Sequence, residues 1–288
     1  HNSYHQQPDP AVTTEWEYTH LPLDVQARDA GVRQFELDAY RSADGFDVFH
    51  VQLIDDVSSC PTLTGCLGLL REWSDDNPAH LPLVVMIEPK DPRAMAESDY
   101  LALDEAVLAA WPAERVLTPD GLQGEHSTLR EAVMAEGWPA LGDVRGKLIV
   151  VLLDTGDHRD AYTEGGTTAA GRVLFPTSGR EFGVDDPLAA FFLLDGPEEE
   201  GERIRETVTA GFLVRTRADS GGEEARAGDT SRLEAALASG AQFISTDYPA
   251  PVEGIDYVVE MPGGTPARCN PLTAPTDCTA AALEDPTF

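Results

Sequence analysis

Leu83-Val84-Val85-Met86-Ile87-Glu88-Pro89-Lys90 runs five apolar residues into a carboxylate and, two positions on, a lysine. Apolar residues on both faces are what a strand needs in a parallel sheet covered by helices. Leu148-Ile149-Val150-Val151-Leu152-Leu153 has the same character. Further apolar runs lie at 32–39, 46–53, 172–175, 189–194, 211–216 and 241–246. Helix-like stretches fall between them at 66–74, 94–110, 127–136 and 230–239, several opening on a Ser, Thr or Asp cap. This alternation over 288 residues predicts an α/β fold with a single TIM-type β/α barrel, a doubly wound open sheet being the alternative. The Gly-, Glu- and Asp-rich segments 196–202 and 220–229 read as exposed loops.

Polar residues follow the strands repeatedly: Glu36 and Asp38, His50, Glu88 and Lys90, Asp154, Arg215 and Arg217, and Thr246-Asp247-Tyr248-Pro249. Barrel enzymes build their sites at these C-terminal strand ends. Glu36 and Asp38 share a strand face about 7 Å apart along the backbone, where two carboxylates repel unless a cation lies between them. Oxygen ligands from Glu, Asp and an Asn carbonyl favour calcium or magnesium over zinc. An E-x-D pair by itself reads more readily as a solvated strand edge, but His1-Asn2-Ser3-Tyr4-His5 adds an amide and two histidines. Together these supply what phosphodiester cleavage needs: an acid, a base and positive charge on the phosphate.

The net charge of −31 rests on 51 acidic residues against 18 arginines and two lysines, Lys90 and Lys147, which argues against nucleic acid as partner and against tight adhesion to an anionic bilayer. No apolar run approaches the roughly 18 residues a membrane span requires, so no stable membrane insertion is expected. The four cysteines form two close pairs, Cys60 with Cys66 and Cys269 with Cys278, in loop-like sequence. Two local disulfides are expected, with a structural zinc site as the rival, and disulfides imply an oxidising, secreted setting. The absence of an initiator Met and of a visible signal peptide suggests a processed or trimmed product. One barrel domain over 1–261, an irregular disulfide-stapled extension over 262–288, and a monomer are expected.

His1-Asn2-Ser3-Tyr4-His5, Phe35-Glu36-Leu37-Asp38, the segment around His50, and Val84-Val85-Met86-Ile87-Glu88 resemble, in order and spacing, the calcium-dependent phosphatidylinositol-specific phospholipase C family. Weaker similarities at 117–122, 216–220 and 245–249 extend the likeness over nearly the whole chain. The resemblance implies a distorted TIM barrel with Ca²⁺, or Mg²⁺ as the alternative, held at its mouth by Asn2, Glu36, Asp38 and Glu88. It also implies that the inositol 2-hydroxyl attacks the neighbouring phosphorus. His50 would be the general acid for the leaving oxygen, His1 would stabilise the phosphorane, and Glu36 would serve as base as well as ligand. Glycerophosphodiesterases open with His-Arg-Gly in place of His1-Asn2-Ser3, and metal-independent relatives put an arginine where calcium would lie; here all three acids are retained.

Where eukaryotic members carry phosphate-binding lysines, this chain has Asp154-Thr155-Gly156-Asp157. Phosphatidylinositol or glycerophosphoinositol is therefore the expected substrate, with a glycerophosphodiester or sphingolipid phosphodiesterase on the same barrel as the alternative. Lys90, Arg217 and Tyr248 are the candidate substrate contacts, through phosphate, ring hydroxyls and stacking, although Arg217 could equally pair with Asp219 or Asp247, and Tyr248 could simply pack. His5 is expected to be structural or to support the site. His20, His80, His126 and His158 fall in polar loops and are expected at the surface.

Overall fold

A computed structural model describes residues 1–8 and 12–284. Among these residues nine strands form one sheet: β1 Gln34–Ser42, β2 Gly45–Val48, β3 Leu83–Pro89, β4 Val116–Leu117, β5 Leu148–Leu152, β6 Phe175–Ser178, β7 Phe191–Leu193, β8 Leu213–Arg217 and β9 Phe243–Ser245. The order is β2-β1-β3-β5-β6-β7-β8-β9, with β4 also paired to β5. Every pairing is parallel except the β1–β2 hairpin. The sheet curls into a distorted TIM-type barrel, with helices between most successive strands but none in the β1–β2 hairpin or between β6 and β7.

Strand periodicity explains why both faces of the central strands are apolar. Leu83, Val85 and Ile87 join one core with Phe35, Leu37, Leu148 and Val150 and with Leu67, Leu70, Leu103 and Val107 of the helices Leu63–Asp76 and Glu97–Ala110. Val84, Met86, Ile149 and Val151 point the other way, into a second core with Phe175, Phe191, Phe192 and Phe212. Glu36, Asp38 and Glu88 follow this inner parity and therefore emerge inside the barrel mouth.

The first residues cross from one end of the sheet toward the other. The His1 amine donates to Thr246 O at 2.8 Å, just past β9, while Ser3 N donates to Glu36 O at 2.9 Å and Glu36 N to Ser3 Oγ at 3.0 Å. This tie brings His1 beside β1 at the strand ends. Beneath it lies a groove of about 590 Å³ between Gln34 of β1 and Phe243–Ser245 of β9.

Three expectations change. The apolar run at 46–53 is strand only to Val48, because 51–55 fold into a tight turn closed by mutual Val51 and Asp55 backbone bonds, with Leu53 at φ 68° on its tip. Segment 196–202 is not an exposed loop but the start of the helix Pro197–Thr209. Pro197 occupies its first turn, three glutamates face its positive end, and Ile204, Thr207 and Val208 supply one buried stripe. Segment 220–229 likewise contains the short helix Glu223–Ala227. Helices at Leu23–Asp29 and Asp157–Tyr162 and the two-residue β4 carry too little pattern to be read from sequence.

Both disulfides have the expected pairing, Cys60–Cys66 and Cys269–Cys278. The C-terminal extension is anchored to the barrel by Asn270 Nδ2, which donates to Gly240 O at 2.7 Å, and by Arg145, which donates to Leu283 O at 2.6 Å. Residues 285–288 of that extension lie outside the described residues. Among the described residues no helix is long and apolar enough to cross a membrane.

Phe191 is fully buried and stacks on Phe243 with ring centroids 5.4 Å apart. Phe191→Ala should cost about 3–5 kcal/mol, read as a lower denaturant midpoint at unchanged slope; a cost below about 1 kcal/mol would contradict this packing.

Candidate metal and acid-base site

The parallel register between β1 and β3 sets Asp38 directly opposite Glu88 and Glu36 opposite Met86. Glu36, Asp38 and Glu88 each contribute an oxygen to a group whose members all lie within 4.8 Å of one another. Asp38 is fully buried, and neither of its oxygens accepts a well-aligned hydrogen bond. Its nearest cation is the Lys90 ammonium, 3.2 Å from Asp38 Oδ2 and 3.1 Å from Glu88 Oε1. Burial, reinforced by the Glu88 charge, pushes the Asp38 carboxyl up to about 7 against the pull of Lys90. A buried carboxylate with orphaned oxygens beside two others is a donor set for a hard divalent ion, so these residues fit calcium. Asn2 is buried at the adjoining turn with φ 43°, a left-handed conformation that asparagine tolerates better than most residues.

Glu36 is held from two sides. Its Oε1 lies 3.3 Å from His1 Nε2, and its Oε2 accepts from Arg215 at 2.7 Å. Burial would raise its carboxyl, but the His1 and Arg215 charges outweigh that and hold it below the usual range. Arg215 is itself buried and completes its pairing with Asp195 at 2.7 Å.

His1 Nδ1 lies 2.7 Å from Asp247 Oδ1, which fixes the ring and turns Nε2 toward Glu36. Burial opposes charge on His1, yet Asp247 and Glu36 together raise it above the ordinary histidine value. Asp247 is driven down to about 2 because His1 and Arg217 overcome its own burial. Arg217 reaches Asp247 at 3.5 Å and donates to Asp219 O at 3.1 Å, so it forms part of this ionic frame. His20 Nε2 contacts His1 O at 2.9 Å, and burial lowers His20 to about 4, which keeps it neutral at physiological pH.

His50 lies two residues beyond β2. The pairing of Ala39 with Val48 carries it back along β1 toward the carboxylates. Its Nδ1 bonds Asp55 Oδ2 at 2.8 Å, leaving Nε2 for chemistry, and the Trp16 ring packs edge-on against it with centroids 4.9 Å apart. Asp55 is fully buried and also holds His5 Nε2 at 2.9 Å, while His5 Nδ1 bonds Tyr18 O at 3.0 Å. His5 is thus a buried support for the carboxylate that orients His50.

The structure gathers His1, Glu36, Asp38, Glu88, Lys90 and Arg217 through these contacts. Tyr248 is placed differently: it is 1% exposed, packed edge-to-face on Tyr257 and near Tyr18, so its ring has no open face on which an inositol could stack. Three of the four histidines expected at the surface are buried. His20 is bonded as above, His80 meets Ser74 Oγ and Leu81 O, and His158 lies between the Tyr100 hydroxyl and Asp91 O, both at 2.9 Å. His126 is partly exposed and pairs with Glu136 at 3.0 Å. Asp55, Asp195 and Trp16 were missed, because an isolated acid or aromatic in a loop carries no periodic signal.

Parallel strands bring Glu36, Asp38 and Glu88 into one acidic group, with Asp247-bound His1 beside Glu36 and Asp55-bound His50 on the loop after β2. Residues 41–271 match the family model described as phosphoinositide phospholipase C, Ca²⁺-dependent, and the chain belongs to that family. It is accordingly a phosphoinositide phospholipase C-like enzyme of the calcium-dependent class.

The Ca²⁺-dependent phosphatidylinositol-specific phospholipase C of Streptomyces antibioticus is similar in structure: TM-score 0.63 at 20% identity, covering 86% of this chain and 92% of that one. The calcium-dependent phosphoinositol-specific phospholipase C of a Gram-negative Pseudomonas sp., apo form, myoinositol complex, aligns with TM-score 0.62 at 18% identity, covering 85% and 86%. At these identities the likeness establishes the fold. No curated protein matches the chain. The family match includes His50, Asp55, Glu88, Lys90, Arg215 and Asp247, whereas His1, Asn2, Glu36 and Asp38 precede it and join the site by geometry.

Because folding raises the Asp38 pKa, its stabilising contribution is full below the unfolded value near 3.8 and is lost as pH rises through about 7. Metal-free Asp38→Asn should therefore show a smaller fall in melting temperature than the wild type between about pH 5 and pH 8. Calcium should raise the wild-type melting temperature at the higher pH and leave the variant's nearly unchanged. Identical pH and calcium responses in the two proteins would contradict this assignment.

Proposed function

We propose that this enzyme cleaves phosphatidylinositol or glycerophosphoinositol by attack of the inositol 2-hydroxyl on the neighbouring phosphorus. The products are an inositol phosphate, cyclic or subsequently opened by water, and diacylglycerol or glycerol. The observation that carries the reading is the buried, unsatisfied Asp38 between Glu36 and Glu88, flanked by two histidines whose Nδ1 atoms are each fixed by a carboxylate. Glu36, Asp38, Glu88 and Asn2 would hold Ca²⁺. When bound, the ion lowers the hydroxyl pKa and offsets charge on the phosphate oxygens.

Glu36, kept ionised by His1 and Arg215, accepts the proton of the attacking hydroxyl as well as serving as a ligand. His1, made more basic by Asp247 and Glu36, presents a cationic Nε2 to the phosphorane. His50 donates from Nε2 to the departing glycerol oxygen while Asp55 stabilises its imidazolium.

Head-group choice follows from the loop beyond β5. Asp154 and Asp157 stand there without a lysine, and Arg159 is committed to Thr177 O and Asp186, so this loop offers no free cation to a ring phosphate. An unphosphorylated inositol ring suits this acidic wall. Two disulfides support secretion into an oxidising compartment.

Phosphorus NMR of the purified protein with each substrate, with calcium and with chelator, tests the proposal directly. A calcium-dependent cyclic inositol phosphate signal is expected. Turnover of choline glycerophosphodiesters with none of the inositol substrates would overturn it. His50→Ala should lower kcat on phosphatidylinositol about 10²–10⁴-fold, with a much smaller loss on an inositol phosphodiester bearing a nitrophenol leaving group that needs no protonation. Equal losses on both substrates would exclude His50 as the acid.

A further inference from the structure

Lys90 occupies a position that its role as a phosphate contact does not explain. It follows Glu88 by two residues, and its backbone N donates to Ala39 O at 2.9 Å, continuing the β3–β1 ladder, so its side chain shares the inner face with Glu88. Its ammonium bridges Glu88 Oε1 at 3.1 Å and Asp38 Oδ2 at 3.2 Å, two of the three carboxylates in the acidic group. Arg215 and His1 act on Glu36 in the same group; Arg215 is also bound to Asp195 and nearly fully buried, and His1 is held by Asp247, so neither is free to move. The Lys90 side chain is 24% exposed and rests on a flexible stem at the rim.

From this geometry we propose that Lys90 is a tethered counter-cation for the metal-free site, which gives up Asp38 and Glu88 when calcium enters and is thereby released toward the substrate phosphate. The inference rests on the calcium assignment proposed above. Lys90 already takes an oxygen from each of these two carboxylates, so a divalent ion that draws on both competes with it and repels it. In the metal-free protein the lysine relieves the repulsion between Asp38 and Glu88. With the ion in place it becomes a mobile positive charge at the site mouth, free to meet the substrate phosphodiester. The arrangement weakens resting calcium affinity and couples ion entry to the readiness of a phosphate-binding group.

The chain contains only two lysines, which gives the test an internal control. The purified protein is pulsed with acetic anhydride with and without calcium, and acetylation at Lys90 and Lys147 is read by peptide mass spectrometry, while calcium binding is measured on the same sample by calorimetry. Calcium is expected to raise Lys90 acetylation severalfold and leave Lys147 unchanged. Lys90→Met is expected to bind calcium about tenfold more tightly than the wild type, and Lys90→Arg, which keeps the tethered charge, to show no such tightening. Calcium binding without any rise in Lys90 labelling, or a Lys90→Met variant of equal or weaker affinity, would overturn the exchange while leaving the metal site intact. Absence of calcium binding to the wild type would overturn both.

Discussion

The opposition of Asp38 and Glu88 across the β1–β3 register is the constraint on which the rest of the site depends. Parallel pairing fixes the two side chains on one inner face, and Glu36 joins them from the same strand as Asp38. With oxygens within 4.8 Å, each ionised pair repels by roughly 3–4 kcal/mol at an effective dielectric near 20. The fold tolerates this only by supplying cations. Arg215 and His1 neutralise Glu36, Lys90 bridges Asp38 and Glu88, and Asp38 still stands raised. A divalent ion is the species that satisfies all three carboxylates together, which is the physical content of the family's calcium dependence.

The two histidines are positioned by a shared device on different scaffolds. His1 is pinned by its backbone to Thr246 and by its ring to Asp247, at the end of β9. His50 stands on a loop, where rigidity comes from the 51–55 turn and from buried Asp55, itself clamped by His5. In both cases a carboxylate on Nδ1 fixes the ring; His1 Nε2 then faces Glu36. The ionic frame of Arg217, Asp219 and Asp247 holds one side of the mouth, and the turn behind His50 holds the other.

The barrel was legible because β3 and β5 are apolar on both faces, and the acidic group because strand parity puts Glu36, Asp38 and Glu88 inside. What escaped the sequence was set by tertiary partners. The helix Pro197–Thr209 buries a single narrow stripe under a heavily acidic surface, and its composition resembles a loop. Asp55 gains its role only because the 51–55 turn folds it inward beneath two histidines. Tyr248, adjacent to Asp247, turns instead into a tyrosine cluster with Tyr18 and Tyr257, a consequence of side-chain direction that spacing does not encode. His20, His80 and His158 lie in loop-like sequence, yet backbone carbonyls and hydroxyls satisfy them in the interior.

The central claim is that the clustered carboxylates of β1 and β3 are one calcium site. An anomalous difference map from a crystal of the protein grown with calcium tests this most directly. The account predicts a single strong peak enclosed by the Glu36, Asp38 and Glu88 carboxylates with the Asn2 side chain turned toward it; a peak elsewhere, or no peak among these carboxylates in a calcium-saturated crystal, would contradict it.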